Sequence, residues 1–211
     1  MGRTARLLFA ALGLLAVATL ALQLSLNIER WDGVGPALWK MARYFTLWTA
    51  ALVAVASLFA ASTAELSDAQ AGMVAATVLF AAVVGVVYHV LLSPTHHPKG
   101  LWALTNVILH YVLPTGVALL WLFATPKGRL FWRAPVVWLS FPLLYIVATV
   151  TRGAYYQEYP YFFLDIGRHG VSTVGVNSAA LCAAFVLGGL VMVLADRMMA
   201  GARASARGAD A

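Results

Sequence analysis

The sequence predicts an all-α polytopic membrane bundle of six transmembrane helices with short connections. Three observations predict it. The 211 residues are 62% hydrophobic and only 10% charged, whereas soluble domains carry about 25% charged residues. The mean hydropathy is +0.83. Six apolar runs, at about 7–27, 43–62, 72–92, 102–123, 135–151 and 171–195, reach or approach the roughly 20 residues with which a helix crosses a hydrocarbon core. Within that core each segment must satisfy its own backbone hydrogen bonds, which makes helix the expected form of every run. The remainder divides among tails and connections and leaves no room for a soluble domain. A single six-helix domain is therefore expected over 1–200, followed by a mobile tail over 201–211.

The first run follows Arg3 and Arg6 and invites comparison with a cleaved signal peptide. It is longer than the usual apolar segment of roughly 7–15 residues and ends without a small-x-small cleavage site, so a retained helix is expected. The second run starts at Arg43, the third ends near His89, and the fourth begins after Gly100. The fifth is the shortest and contains Pro142, which makes its limits the hardest to fix. The sixth is rich in small residues, Gly188 and Gly189 among them, which permits close helix contact without distinguishing a neighbour in the bundle from a second copy. Trp31, Trp39, Tyr44, Tyr88, Trp102, Trp121, Trp132 and Trp138 fall near run ends, as an interfacial aromatic belt requires.

The single cysteine, Cys182, excludes an intrachain disulfide framework and any multi-cysteine metal site. The net charge of +6 is no nucleic-acid footprint, because Lys and Arg are scattered near the ends of the runs. Nothing points to a nucleotide, a cofactor or a soluble partner. With six crossings, Arg3, Arg6, Lys127, Arg129, Arg133, Arg197, Arg203 and Arg207 share one side of the membrane. Arg30, Lys40, Arg43, Lys99, Arg152 and Arg168 share the other. This excess favours an inner (plasma) membrane location with both termini in the cytoplasm.

Polar residues inside a bilayer are costly and by default indicate function. Alternation of direction brings them together. Arg43, Thr46 and Thr49 open the second run, His89 closes the third, and Asn106 and His110 lie early in the fourth. Tyr145, Thr149 and Arg152 end the fifth, and Thr173 and Asn177 begin the sixth. All belong to the same half of the bilayer. Their spacings of i, i+3, i+4 and i+7 put each set on one stripe, so the stripes can face one chamber in which Thr46 meets His110. Pro114 has no N–H to offer the His110 carbonyl, which predicts a kink beside the histidine. Each residue also has a structural reading: Thr bonds back to its own helix, His bridges helices, and Arg43 and Arg152 snorkel to the interface.

Four segments carry a resemblance: R-Y-F-T-L-W-T (43–49), N-V-I-L-H-Y-V-L-P (106–114), P-K-G-R-L-F-W (126–132) and Y-P-Y-F-F-L-D (159–165). In this order they resemble the androgen-induced / androgen-dependent TFPI-regulating protein family, and most closely its prokaryotic six-helix branch. The resemblance covers about residues 40–196 and rests on these short motifs. It implies an intramembrane threonine hydrolase that cleaves fatty acid esters of hydroxy fatty acids. It implies Thr46 as nucleophile and His110 as base.

The chemistry expected of such a pair is ester hydrolysis through a threonyl ester, since a Thr hydroxyl is a poor nucleophile without an adjacent base. Asn106 is a candidate oxyanion donor, with Thr49 and Asn177 as supporting residues. Arg43 and Arg152 are candidates for holding a substrate carboxylate. His89, Tyr145, Tyr159 and Asp165 are candidates for further pocket positions. Two other classes stay open. One is a lipid-binding or transport-like bundle without chemistry. The other is a haem- or metal-binding redox protein using His89 and His110, although their depths differ by roughly 7–8 Å at about 1.5 Å per residue.

Overall fold

The computed structural model describes the backbone of residues 1–209 and the side chains of residues 1–202. Most of the tail expected over 201–211, with Arg203 and Arg207, lies outside the described side chains. Among the described residues, six helices are long and apolar enough to cross a membrane: Arg3–Trp31, Phe45–Ser62, Asp68–Leu92, Leu101–Ala124, Ala134–Tyr156 and Ile166–Ala202. Each contains one of the six predicted runs, apart from the first two residues of the second. The protein is an all-α integral membrane bundle. Its outer surface agrees, because Leu7, Val86, Phe123, Val136, Val147, Val176 and Val191 are all exposed. In water a continuous apolar surface of this kind would drive association, whereas in lipid it is the solvated face.

The first span is α1 (Arg3–Trp31), which runs along α3 (Phe45–Ser62). Between them, Asp32 in the left-handed region and Gly33 reverse the chain into α2 (Val34–Met41). This short helix lies in a connection that the hydropathy pattern left unstructured. Ser67 caps α4 (Asp68–Val87) through a reciprocal capping box with Gln70. That span closes in a π-helical turn, Tyr88–Leu92. The fourth span consists of α5 (Leu101–Val107), a second π-helical turn (Ile108–Val112) and α6 (Leu113–Ala124). A π turn thus stands directly before Pro114, where the sequence predicts a kink.

The fifth span, the least certain in the sequence, is α7 (Ala134–Trp138) followed by α8 (Ser140–Tyr156). The break at Leu139 falls where Pro142 has no N–H to offer the carbonyl of Trp138. The chain then passes through a 3₁₀ turn (Phe162–Leu164) into α9 (Ile166–Ala209), which kinks at Gly170 where φ is 77°. Phe45, Phe80, Phe141 and Phe185 form an aromatic cluster joining four spans, with Phe80 stacked on Phe141 at 5.0 Å between ring centroids.

On the side of the termini, the segment 126–132 folds back over the bundle. Asp196, only 1% exposed, accepts a hydrogen bond from the Leu130 N–H at 3.0 Å. Lys127 donates to the Trp121 carbonyl and lies over the Trp121 ring at 4.0 Å. Asp196 therefore ties this connection to the last span. Asp196→Ala leaves a buried N–H unpaired and is expected to lower stability by about 1–3 kcal/mol. A lower midpoint of thermal unfolding in detergent checks this. Asp196→Asn keeps an oxygen acceptor and should lose less.

Candidate active site

His110 occupies the π turn of the fourth span, and its ring turns back toward the preceding helix. Nδ1 lies 2.9 Å from the Asn106 carbonyl oxygen. A carbonyl only accepts, so Nδ1 carries the proton and Nε2 presents its lone pair. Nε2 in turn faces the Thr46 Oγ1 at 3.3 Å. The second and fourth spans therefore bring together the hydroxyl and imidazole that the polar stripes had paired in the sequence. The third member is a backbone carbonyl, which no side-chain pattern reveals.

The ring is fixed from a further direction. Tyr88 stacks on His110 with centroids 3.9 Å apart and planes 23° apart. The Tyr88 hydroxyl accepts from the Asn106 Nδ2 at 2.7 Å. Asn106, the expected oxyanion donor, thus contributes its carbonyl to His110 and its amide to Tyr88. The backbones of α4 and the fourth span approach closely here. A Cβ on Gly85 would come within 3.0 Å of the His110 carbonyl oxygen, backbone that cannot swing aside.

Thr46 and His110 share a cavity of about 50 Å³. Tyr88, Tyr145 and Tyr161 supply its other polar groups, and Phe45, Phe163, Leu164 and Phe185 much of its apolar wall. A water molecule needs about 10–15 Å³ on this measure, so the space suits a few waters and is too small for an acyl chain. Tyr161 is 8% exposed. Burial pushes its phenol above the usual range, opposed by hydrogen bonding to the side chain and backbone of Thr46. It thus remains an O–H donor next to the threonine.

The other predicted positions divide. Tyr145 lines the cavity, and its hydroxyl donates to the Arg43 carbonyl at 2.5 Å. Asn177 donates to the Phe163 carbonyl at 2.8 Å, which ties the cavity wall to α9. Thr49 is buried outside the cavity lining, and its hydroxyl has no partner among the described residues. Three of the four candidates for further pocket positions lie elsewhere. His89 is exposed and pairs with the Tyr111 hydroxyl at 3.2 Å. It is not among the residues that line the cavity of His110. Tyr159 packs against Gly153, with its ring 2.0 Å from where a Cβ would stand. Asp165 accepts from the Arg168 N–H at 3.0 Å and caps the start of α9. In its motif the inward residue is Tyr161, whose direction depends on the course of the connection and not on helical period.

Arg43 and Arg152 lie nearer the interface. Arg43 pairs with Glu158 at 2.7 Å, as does Lys40. The Lys40 ammonium, with Arg43 beside it, holds the Glu158 carboxyl below the usual range. Arg152 stacks on Trp39 at 3.7 Å.

The fold and this cavity define an integral membrane helical bundle with a Thr–His pair between its spans. No family model, curated protein or solved structure matches the chain. The close approach at Gly85 yields a direct test. Gly85→Ala forces the His110 backbone outward and is expected to cost about 1–3 kcal/mol. A lower thermal midpoint in detergent and a perturbed His110 imidazole resonance would report it.

Proposed function

We propose that the protein is an intramembrane lipid ester hydrolase in which Thr46 is the nucleophile and His110 the general base. The observation that carries this reading is the fixed tautomer of His110: one nitrogen donates to a carbonyl while the other accepts from the Thr46 hydroxyl. What adds to the bridging contact is the cavity that both side chains line, where a third group can approach the hydroxyl. The resemblance to the androgen-induced protein family selects the same two residues. It suggests fatty acid esters of hydroxy fatty acids as substrates.

In this reading His110 Nε2 takes the Thr46 proton as Oγ1 attacks the ester carbonyl. The tetrahedral intermediate collapses with transfer of that proton to the leaving alkoxide. The same imidazole then deprotonates water, which attacks the threonyl ester, and the second tetrahedral intermediate collapses to the acid as that proton passes to the departing Thr46 Oγ1. Tyr161, with its proton retained and Thr46 beside it, is the donor we assign to the developing oxyanion, in place of Asn106. The cavity takes only a few waters, so an acyl chain needs it to widen, and Phe163 and Leu181 are apolar residues of its wall. We also assign both termini to the cytoplasm of a plasma (inner) membrane, on the excess of Lys and Arg on their side. The Thr46–His110 pair then belongs to the outer half of the bilayer.

Two measurements test the proposal. A fluorophosphonate probe should label Thr46 in the wild-type protein and fail to label it in His110→Ala. Hydrolysis of a long-chain acyl ester should fall by about 10²–10⁴-fold in His110→Ala, and Thr46→Ala should show no turnover above background. Unchanged hydrolysis in either variant refutes the mechanism. Ligand binding without product in the wild type would favour a non-catalytic lipid-binding bundle. Tyr161→Phe is expected to lower kcat by about 10²–10³-fold if the phenol serves the oxyanion.

A further inference from the structure

A second opening lies at the interfacial end of the bundle, between the start of α3, the end of α8 and the connection that follows. It is a cleft of about 260 Å³, with Trp39, Trp48 and Thr149 in its walls and Arg43, Arg152 and Glu158 as its charged groups. Its charges do not balance. Lys40 and Arg43 both pair with Glu158 at 2.7 Å, so a single carboxylate answers two cations. Arg152 is a third cation. Its Nε and Nη2 are shielded from solvent and have no hydrogen-bond partner among the described residues.

Guanidinium nitrogens that have lost water and gained no acceptor are costly to maintain. The stacking of Arg152 on Trp39 at 3.7 Å adds attraction to its face but supplies nothing to its N–H groups. Stacking does fix the plane of the guanidinium, and a fixed fork of donors matches two oxygens of one anion. The cleft also adjoins lipid. One turn inward from Arg152 on α8 comes Ala148, a lining residue, and one turn further comes Leu144, which is exposed. An apolar chain attached to the anion can follow that stripe into the bilayer.

We propose that this cleft binds the anionic head group, a carboxylate or a phosphate monoester, of an amphiphile in the membrane. Arg152 donates to the oxygens of the anion, and Arg43 adds charge beside it. Glu158 is the resident counter-ion, which limits the affinity of the site by competing for the same cations. The expectation that Arg43 and Arg152 together hold a carboxylate is thereby refined, because Arg43 is already engaged and Arg152 has the free donors. The site stands without the ester chemistry, although Tyr145 links the two regions through its hydrogen bond to the Arg43 carbonyl.

The test is a calorimetric titration of the full-length protein in uncharged detergent. The ligands are decanoate, decyl phosphate and decanol, with acetate and inorganic phosphate as chain-free anions. Saturable binding of decanoate or decyl phosphate is expected, at least tenfold tighter than decanol or the chain-free anions. Arg152→Gln should weaken the anionic amphiphiles at least tenfold and leave decanol unchanged. Glu158→Gln should strengthen them severalfold, and this arm decides the matter if Arg152→Gln does not fold. Thr46→Ala should bind them as the wild type does, so loss of hydrolysis and loss of the anion site are separate results. The proposal is overturned if decanol or acetate binds as tightly as decanoate. It is equally overturned if Arg152→Gln retains wild-type affinity for both anions, or if Glu158→Gln leaves that affinity unchanged.

Discussion

The arrangement of the candidate site depends on the hydrogen bond between the His110 Nδ1 and the Asn106 carbonyl. That bond decides which nitrogen carries the proton, and so whether the other can accept from Thr46. It is local to one helix, and a backbone carbonyl engaged by its helix still has a second lone pair for the ring. The histidine itself sits in the π turn before Pro114. Ligand-positioning histidines elsewhere use a carboxylate or a carbonyl for the same purpose, and here the helix backbone supplies it.

The surroundings of His110 show how a bundle without a hydrophobic driving force between its helices gains order. Lipid tails solvate Leu and Val as well as a neighbouring helix does, so association relies on close packing and on hydrogen bonds between helices. Gly85 lets the backbone of α4 rest against the His110 carbonyl, and Tyr88 then reaches the imidazole face. The Phe45, Phe80, Phe141 and Phe185 cluster fills the space beside the cavity with rings from four spans. On the opposite side of the membrane, Asp196 performs a comparable task by accepting from Leu130. Polar groups hold both ends of the bundle, and apolar packing fills the length between.

Two chemically distinct regions sit one above the other at the polar end. The deeper is small, aromatic-walled and contains the neutral Thr–His pair. The shallower is larger and contains the cations and Glu158. Charged groups at this level keep access to the interface, where the cost of ionisation is lower than at the bilayer centre. A hydroxyl and an imidazole can be placed deeper because neither needs to carry charge at rest. The order of the two regions follows from solvation.

The amino-acid sequence by itself determined the class of fold, the six crossings and the half of the bilayer in which polar residues collect. These follow from hydropathy and from alternation of direction, which are properties of the chain taken residue by residue. It also brought Thr46 and His110 within reach, because alternation of direction puts the start of the second span and the start of the fourth in the same half of the bilayer. What it left undecided were the partners that individual side chains meet. Tyr88 continues the buried stripe of Thr77, Ala81 and Val84, yet its place near a run end reads as interfacial belt, and His89, one residue on, faces outward although its depth matches the polar stripes. Tyr161 rather than Tyr159 meets the cavity because a non-helical connection has no period to extrapolate. Asp196 lies just beyond the apolar run that hydropathy delimits, although the helix continues through it. Tertiary structure alone decided these positions, since each depends on which neighbour distant in sequence the side chain meets.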